Sequence, residues 1–99
     1  IEAVARRERR QVVAGEAANA YVRRQDGWAL LQHDVPAVMV SSAYADTARL
    51  EAFFEGPYHR PADNLSREIE LGGAAQDVAF HIALARWFGD ARRVRLPAR

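Results

Sequence analysis

The sequence predicts an α/β fold, with helices packed on a few mostly parallel strands, and three observations predict it. Residues 35–41 (VPAVMVS) form an apolar, β-branched run, which is typical of a strand buried on both faces of a parallel sheet. Asp46 is a good N-cap for a helix over residues 47–54. Gly72 and Gly73 open a longer apolar helix that runs to about residue 89, and we expect this helix to be largely buried.

The remaining elements follow from composition and from the positions of glycine and proline. Residues 1–20, rich in Ala, Glu and Arg, predict a helix, although Gly15 weakens its continuity. A short helix is expected over residues 28–33, before Pro36, which then takes the first or an edge position of the strand. Residues 58–64 form a loop, and residues 92–99 a loosely ordered basic tail. We expect residues 1–99 to be a single partial domain.

Composition narrows the class of protein. The 99 residues are 49% hydrophobic and 27% charged, which is ordinary for one small globular domain, and the formal charge of +1 gives no strong field towards nucleic acid or acidic lipid. The chain has no cysteine, so disulfides and thiolate metal sites are excluded. No apolar run is long enough to cross a bilayer, and no signal peptide is visible. Because the first residue is Ile1, we expect a piece of a longer polypeptide.

The segment with the most chemical content is the hexapeptide YHRPAD, residues 58–63, which follows a Gly-Pro turn. Its histidine, His59, lies on a proline-stiffened loop with Asp63 four residues behind it. An imidazole binds a divalent metal through one nitrogen, while a carboxylate or carbonyl commonly holds the other. Asp63 is a candidate for that holder, or it braces the loop backbone in an Asx turn with Asn64.

Three segments in this order resemble the C-terminal end of the zinc-dependent aminopeptidases that share a fold with glutaminyl cyclase and the transferrin receptor ectodomain. They are the VPAVMVS run, the Tyr-His-x-x-x-Asp loop and the closing helix that begins LGGAAQD at residue 71. The resemblance covers about residues 24–88. It implies that this chain is the C-terminal fragment of a three-layer αβα zinc-exopeptidase fold.

The resemblance also implies a function and a cofactor. Such enzymes hydrolyse the N-terminal peptide bond with water activated by two zinc ions, and His59 matches the last of their metal ligands. The other ligands and the general base have no match here and would lie upstream. No catalytic residue is therefore expected in this fragment, which should be inactive alone because one imidazole holds zinc too weakly. The expected partners are a peptide substrate and the missing N-terminal part, and the resemblance favours a secreted or periplasmic location.

Four further residues are assigned to the pocket or to the support of the ligand. Tyr58 lines the site or packs the loop, and Asp63 supports it. Asp26 and Trp28 match a stretch that borders the substrate pocket in the resembling enzymes, although Gln25 stands where they usually have serine. Asp26 is more readily a residue that caps or braces its turn.

The remaining polar candidates have ordinary structural explanations. Tyr21 is a weak candidate for an oxyanion donor against a packed or surface tyrosine. His33 suits a helix end, and His81 a hydrogen-bonded position in the core.

Two other classes of function are open. The chain could be a non-catalytic relic of the fold that acts as a structural or interaction module. The second is a nucleic-acid binder, suggested by the basic run RRERR at residues 6–10. A solvated helix face explains this run better, because no aromatic residues alternate with the charges.

Overall fold

A computed structural model describes residues 1–13, 16–66 and 68–94. Within these ranges the secondary structure is helical, with two short 3₁₀ helices over Val22–Arg24 and Ser42–Ala45. The α-helices are α1 (Glu2–Arg7), α2 (Glu16–Asn19), α3 (Gly27–Leu31), α4 (Thr47–Glu55) and α5 (Gly72–Phe88). The described residues contain no strand and no sheet, so the predicted α/β three-layer fold is wrong.

The run at residues 35–41 shows why the strand prediction fails. Residues 35–40 are neither helix nor strand, and Val38 and Met39 are 66% and 54% exposed. A strand exists only through the hydrogen bonds of a neighbouring strand. The described part of the chain offers the run no such neighbour, so β-branched composition alone does not produce a sheet.

The chain divides into two compact units, which are described separately: Ile1–Val12 with Leu71–Arg99, and Val13–Glu70. In the first unit, α1 packs on α5. Their contact buries a small apolar core, formed by Val4, Ala5, Phe80 and Leu84, each at most 7% exposed.

Arginine side chains close the edges of this contact. Arg10 donates to the Asp77 carboxylate at 2.9 Å, and its guanidinium lies 5.4 Å from the centre of the Phe80 ring. Trp87 has the guanidinium groups of Arg7 and Arg93 at 5.9 and 5.0 Å from its ring centre. Two arginines of the basic run, Arg7 and Arg10, therefore make contacts within the unit.

The N-terminal helix is shorter than predicted. After α1 ends at Arg7, Arg9 adopts the left-handed conformation, with φ of 54°. The Arg10 N–H then reaches back to the Ala5 carbonyl at 2.8 Å, and the Arg9 N–H to the Arg6 carbonyl at 3.3 Å. This pair of bonds is the Schellman arrangement that ends helices. The prediction of one helix over residues 1–20 is thus wrong at residue 8, while residues 14 and 15 lie outside the described ranges.

The other helix predictions hold. α3 and α4 occupy the expected places, and the Asp46 side chain accepts from the Arg49 N–H at 3.0 Å as the predicted N-cap. α4 ends at Gly56, a position that suits glycine because an added Cβ would lie 2.9 Å from the Ala52 carbonyl oxygen. α5 begins and ends as predicted.

The predicted burial of α5 is wrong on one side. Opposite Phe80 and Leu84 runs an apolar face in which Leu71, Val78 and Ile82 are 65%, 60% and 47% exposed. This face, here called the open face of α5, consists of Leu71, Ala75, Val78, Ile82, Ala85 and Gly89. No described helix is long and apolar enough to span a membrane.

After α5 the chain turns at Asp90, whose carboxylate accepts from the Arg92 backbone and side chain and from Arg93 at 3.0–3.2 Å. Arg92 and Arg93 are the first residues of the tail that was predicted to be loosely ordered, and both donate hydrogen bonds to the Asp90 carboxylate. Residues 95–99 of that tail lie outside the described ranges.

Phe80→Ala should lower the free energy of unfolding by about 3 kcal/mol, because it removes the largest side chain of the first unit's core. Phe88→Ala is the matched control on the same helix, since its ring is 48% exposed. This variant should change the free energy of unfolding by less than about 1 kcal/mol. Urea unfolding followed by circular dichroism measures both, and equal losses would show that Phe80 is not a core residue.

The pKa of Asp90 should lie below its ordinary value of 3.8, chiefly because of hydrogen bonds from the Arg92 side chain and backbone, with a smaller effect of Arg93. A carboxyl whose pKa is lowered by folding contributes stability above its unfolded pKa and loses it as the pH falls through the folded pKa. Arg92→Ala should raise the Asp90 pKa in a carboxyl NMR titration, whereas Arg86→Ala should not. An unchanged Asp90 pKa in Arg92→Ala would refute the assignment.

Candidate functional site

The predicted ligand His59 lies in the second unit, in the turns that follow α4. Its side chain is exposed, and no described group makes a hydrogen bond to its ring nitrogens. The imidazole stacks on the neighbouring Tyr58 ring, with centroids 3.8 Å apart and an angle of 21° between the planes. The stack covers one face of the imidazole, and the side chain is otherwise exposed.

The backbone at His59 is in the left-handed region, with φ of 58°. A side chain with a Cβ pays roughly 1–2 kcal/mol for this conformation. The flanking turns impose it: the Tyr58 N–H donates to the Phe53 carbonyl at 3.2 Å, and the Arg60 N–H to the Pro57 carbonyl at 2.9 Å. The position of His59 is therefore set by its neighbours rather than by its own preference.

An aromatic cluster carries this loop. Tyr58 packs on Phe53 and Phe54, with ring centroids 5.5 and 4.9 Å away. Phe54 in turn contacts Tyr21 at 5.7 Å, and Tyr21 contacts Tyr44 at 5.9 Å. All five rings are half-buried, so the cluster is the nearest approach to a core in this unit.

Polar groups at the edge of the cluster fix its members. The Arg24 guanidinium lies 4.9 Å from the centre of the Phe54 ring, and Gln25 Nε2 lies 2.6 Å from the Tyr44 hydroxyl. Tyr21 is therefore a packed tyrosine, which was the alternative to its role as an oxyanion donor. Sequence reasoning missed the cluster as a whole. The adjacent Phe53 and Phe54 followed closely by Tyr58 were the available signal.

Asp63 does not hold the His59 ring. Its backbone N–H donates to the Arg60 carbonyl at 2.9 Å, and its carboxylate is exposed. The next residue, Asn64, closes the loop: its side chain donates to the Pro61 carbonyl at 2.7 Å and accepts from the Ser66 N–H at 2.9 Å. The predicted bracing of the loop is therefore made by the side chain of Asn64, while Asp63 contributes its backbone N–H.

Asp26 and Trp28 lie at the start of α3. Asp26 is the residue before the helix, but its side chain caps no N–H group; its carbonyl accepts from the Ala29 N–H at 3.1 Å. Trp28 is half-buried, with the Arg23 guanidinium 5.3 Å from its ring centre. Neither residue makes a described contact with His59, so their pocket role stays a prediction.

The two other histidines offer no site. His33 is exposed after the end of α3. His81 has the expected hydrogen-bonding neighbour, with Nδ1 2.7 Å from the Asp77 carbonyl oxygen, but its ring is exposed rather than in the core.

The described residues do not form a zinc site by themselves. Nowhere in residues 1–13, 16–66 and 68–94 do three His, Cys, Asp or Glu side chains come close enough to hold one ion. A zinc site needs three or four protein ligands. His59 fits one ligand of such a site, with its other donors supplied from elsewhere, and no reaction step through zinc can be derived from these residues.

Compared with models of protein families, with curated proteins and with solved structures, the chain matches none of them. The likeness to zinc aminopeptidases therefore stands on the residues that carry it.

The strain at His59 can be tested with two variants that both lack the imidazole. His59→Gly should be more stable than His59→Ala by about 1 kcal/mol, because glycine alone adopts a positive φ without steric cost. Both variants lose the stack on Tyr58, so their difference isolates the backbone. Thermal unfolding by circular dichroism measures it, and equal stability would show that φ at residue 59 is not positive in solution.

Proposed function

We propose that this chain is the C-terminal part of a zinc-dependent aminopeptidase and that His59 is one of its zinc ligands. The observation that carries the proposal is the presentation of His59: an exposed imidazole, stacked on Tyr58 and carried on an aromatic cluster. In metal sites the ring is usually oriented by a hydrogen bond from its second nitrogen. In this proposal the stack on Tyr58 takes that part, and the hydrogen-bond partner comes with the missing half of the protein. The order of the three sequence segments supports the same function.

The zinc ions supply an activated water for hydrolysis of the N-terminal peptide bond. The residues of this chain position one donor. Tyr58 fixes the plane of the His59 ring, and Asp63 and Asn64 close the loop beneath it. Because the remaining ligands and the general base come from elsewhere, the 99-residue chain alone is inactive and binds zinc weakly.

The run at residues 37–40 supports membership of a larger folded unit. It is apolar, Val38 and Met39 are more than half exposed, and none of its backbone N–H groups donates to a described carbonyl. Exposed apolar side chains that lie next to one another often mark a surface that another polypeptide covers. A second segment of polypeptide would cover these side chains.

In the complete protein, His59→Ala should lower the zinc content and reduce hydrolysis of an aminoacyl anilide at least about a hundredfold, which is the loss expected when a metal site is disrupted. His33→Ala is the matched control, because His33 is also an exposed loop histidine but lies outside the proposed site. Atomic absorption and a chromogenic assay give the two readouts. Unchanged zinc content in His59→Ala would remove it from the ligand set.

A second function, a non-catalytic interaction module, is favoured by one specific observation: the open face of α5. A helix that is apolar on both sides is ordinarily covered on both sides. α1 covers the side with Phe80 and Leu84, and no described residue covers Val78 and Ile82 to less than about half exposure. This function requires no metal and is independent of His59.

A further inference from the structure

We propose that a second copy of this chain packs on the open face of α5, forming an antiparallel pair of helices related by a two-fold axis. The inference rests on the interaction-module function and names its partner. It does not depend on zinc or on His59.

The spacing of the open face is that of a helix-pairing seam. Its six residues are separated alternately by four and three positions, from Leu71 to Gly89. This alternation is the heptad spacing that keeps one stripe facing a partner helix. The seam lies directly opposite Phe80 and Leu84, so α1 and a second copy can occupy α5 at the same time.

The seam is complementary to itself when the second copy runs antiparallel. A two-fold axis at the level of Phe80 places Val78 opposite Ile82 of the other copy. The same axis sets Ala75 opposite Ala85 and Leu71 opposite Gly89. The two β-branched residues meet at the centre, the alanines allow close approach, and the large Leu71 meets a residue with no side chain.

The two ends of α5 favour the antiparallel direction. The helix begins with small residues, GGAA at 72–75, and ends with bulky ones, RWF at 86–88. An antiparallel pair sets the bulky end of one helix, with the half-exposed Phe88, beside the small residues at the start of the other, whereas a parallel pair sets bulky end beside bulky end. The helix dipoles also attract one another only in the antiparallel arrangement.

The area limits the strength of this pairing. An apolar face of this kind covers on the order of 500 Å² per copy, the size of the largest patch on an ordinary monomer. Two such faces bury roughly 1,000 Å² in total, the lower limit of a specific interface. We therefore expect a weak, reversible dimer.

The first test is sedimentation equilibrium of the 99-residue chain over a range of concentrations. The wild-type mass should rise from 11.1 kDa towards twice that value. Ile82→Glu should weaken the pairing at least about thirtyfold, as expected for a central interface residue present in both copies. Leu65→Glu is the matched control, an apolar residue outside the seam that is 90% exposed, and should dimerise like the wild type. Circular dichroism confirms that Ile82→Glu keeps its helices.

The second test fixes the direction. The chain has no cysteine, so single cysteines report cleanly. Under mild oxidation a mixture of Ala75→Cys and Ala85→Cys should form the mixed disulfide, because these positions face each other in the antiparallel pair. A disulfide between two copies of Ala75→Cys at the same rate would indicate a parallel pair and overturn the proposal.

Two negative outcomes separate the failure of self-pairing from that of the module. If the wild type stays at 11.1 kDa but binds an apolar dye that Ile82→Glu binds less, the open face exists and its occupant is a different polypeptide; self-pairing is overturned. If the mass stays constant and Ile82→Glu binds the dye as well as the wild type does, the open face is not exposed in solution. Self-pairing and the interaction-module function are then both overturned.

Discussion

Scarcity of burial is the constraint on which this structure depends. In the described residues the buried side chains are those where α1 meets α5, namely Val4, Ala5, Phe80 and Leu84. Full burial of a large apolar side chain contributes only about 1.5–3 kcal/mol. Four buried side chains are a small core for a chain of this length. The uncovered surfaces, at α5 and at residues 37–40, are therefore where additional stability must come from, and both functional proposals concern what covers them.

Local signals in the sequence predicted the helices well and the fold class poorly. The N-cap at Asp46 and the start of α5 at Gly72 depend only on residues within one turn of the helix. They could therefore be recognised from the sequence without knowledge of the tertiary structure. The strand at residues 35–41 required a partner at a distance, which composition cannot reveal. The prediction of one helix over residues 1–20 was wrong for a different reason. Arg9 adopts a left-handed conformation that favours glycine, and an arginine at this position gives no signal of it.

The candidate site likewise has some features that the sequence shows directly and others that depend on the folded chain. The adjacency of Tyr58 and His59 is a fact of sequence, and the structure turns it into a ring stack. The role of Asp63 depended on the course of the loop, and Asn64 performs the bracing instead. Asp26 and Trp28 were placed by resemblance alone and make no described contact with His59. Phe53, Phe54 and Tyr58 of the aromatic cluster lie close in sequence and gave a signal. The contacts with Tyr21 and Tyr44 join residues far apart in sequence and could be found only once the chain was folded.

All fourteen basic residues of this chain are arginine. Five of them lie over aromatic rings in the described part of the chain: Arg7, Arg10, Arg23, Arg24 and Arg93. A planar guanidinium can lie flat on a ring, whereas a lysine ammonium is a compact, strongly hydrated charge that cannot replace it there. Guanidinium chloride consequently offers these rings the same cation that the chain itself supplies, so this denaturant competes with the edges of both units directly, and urea does not.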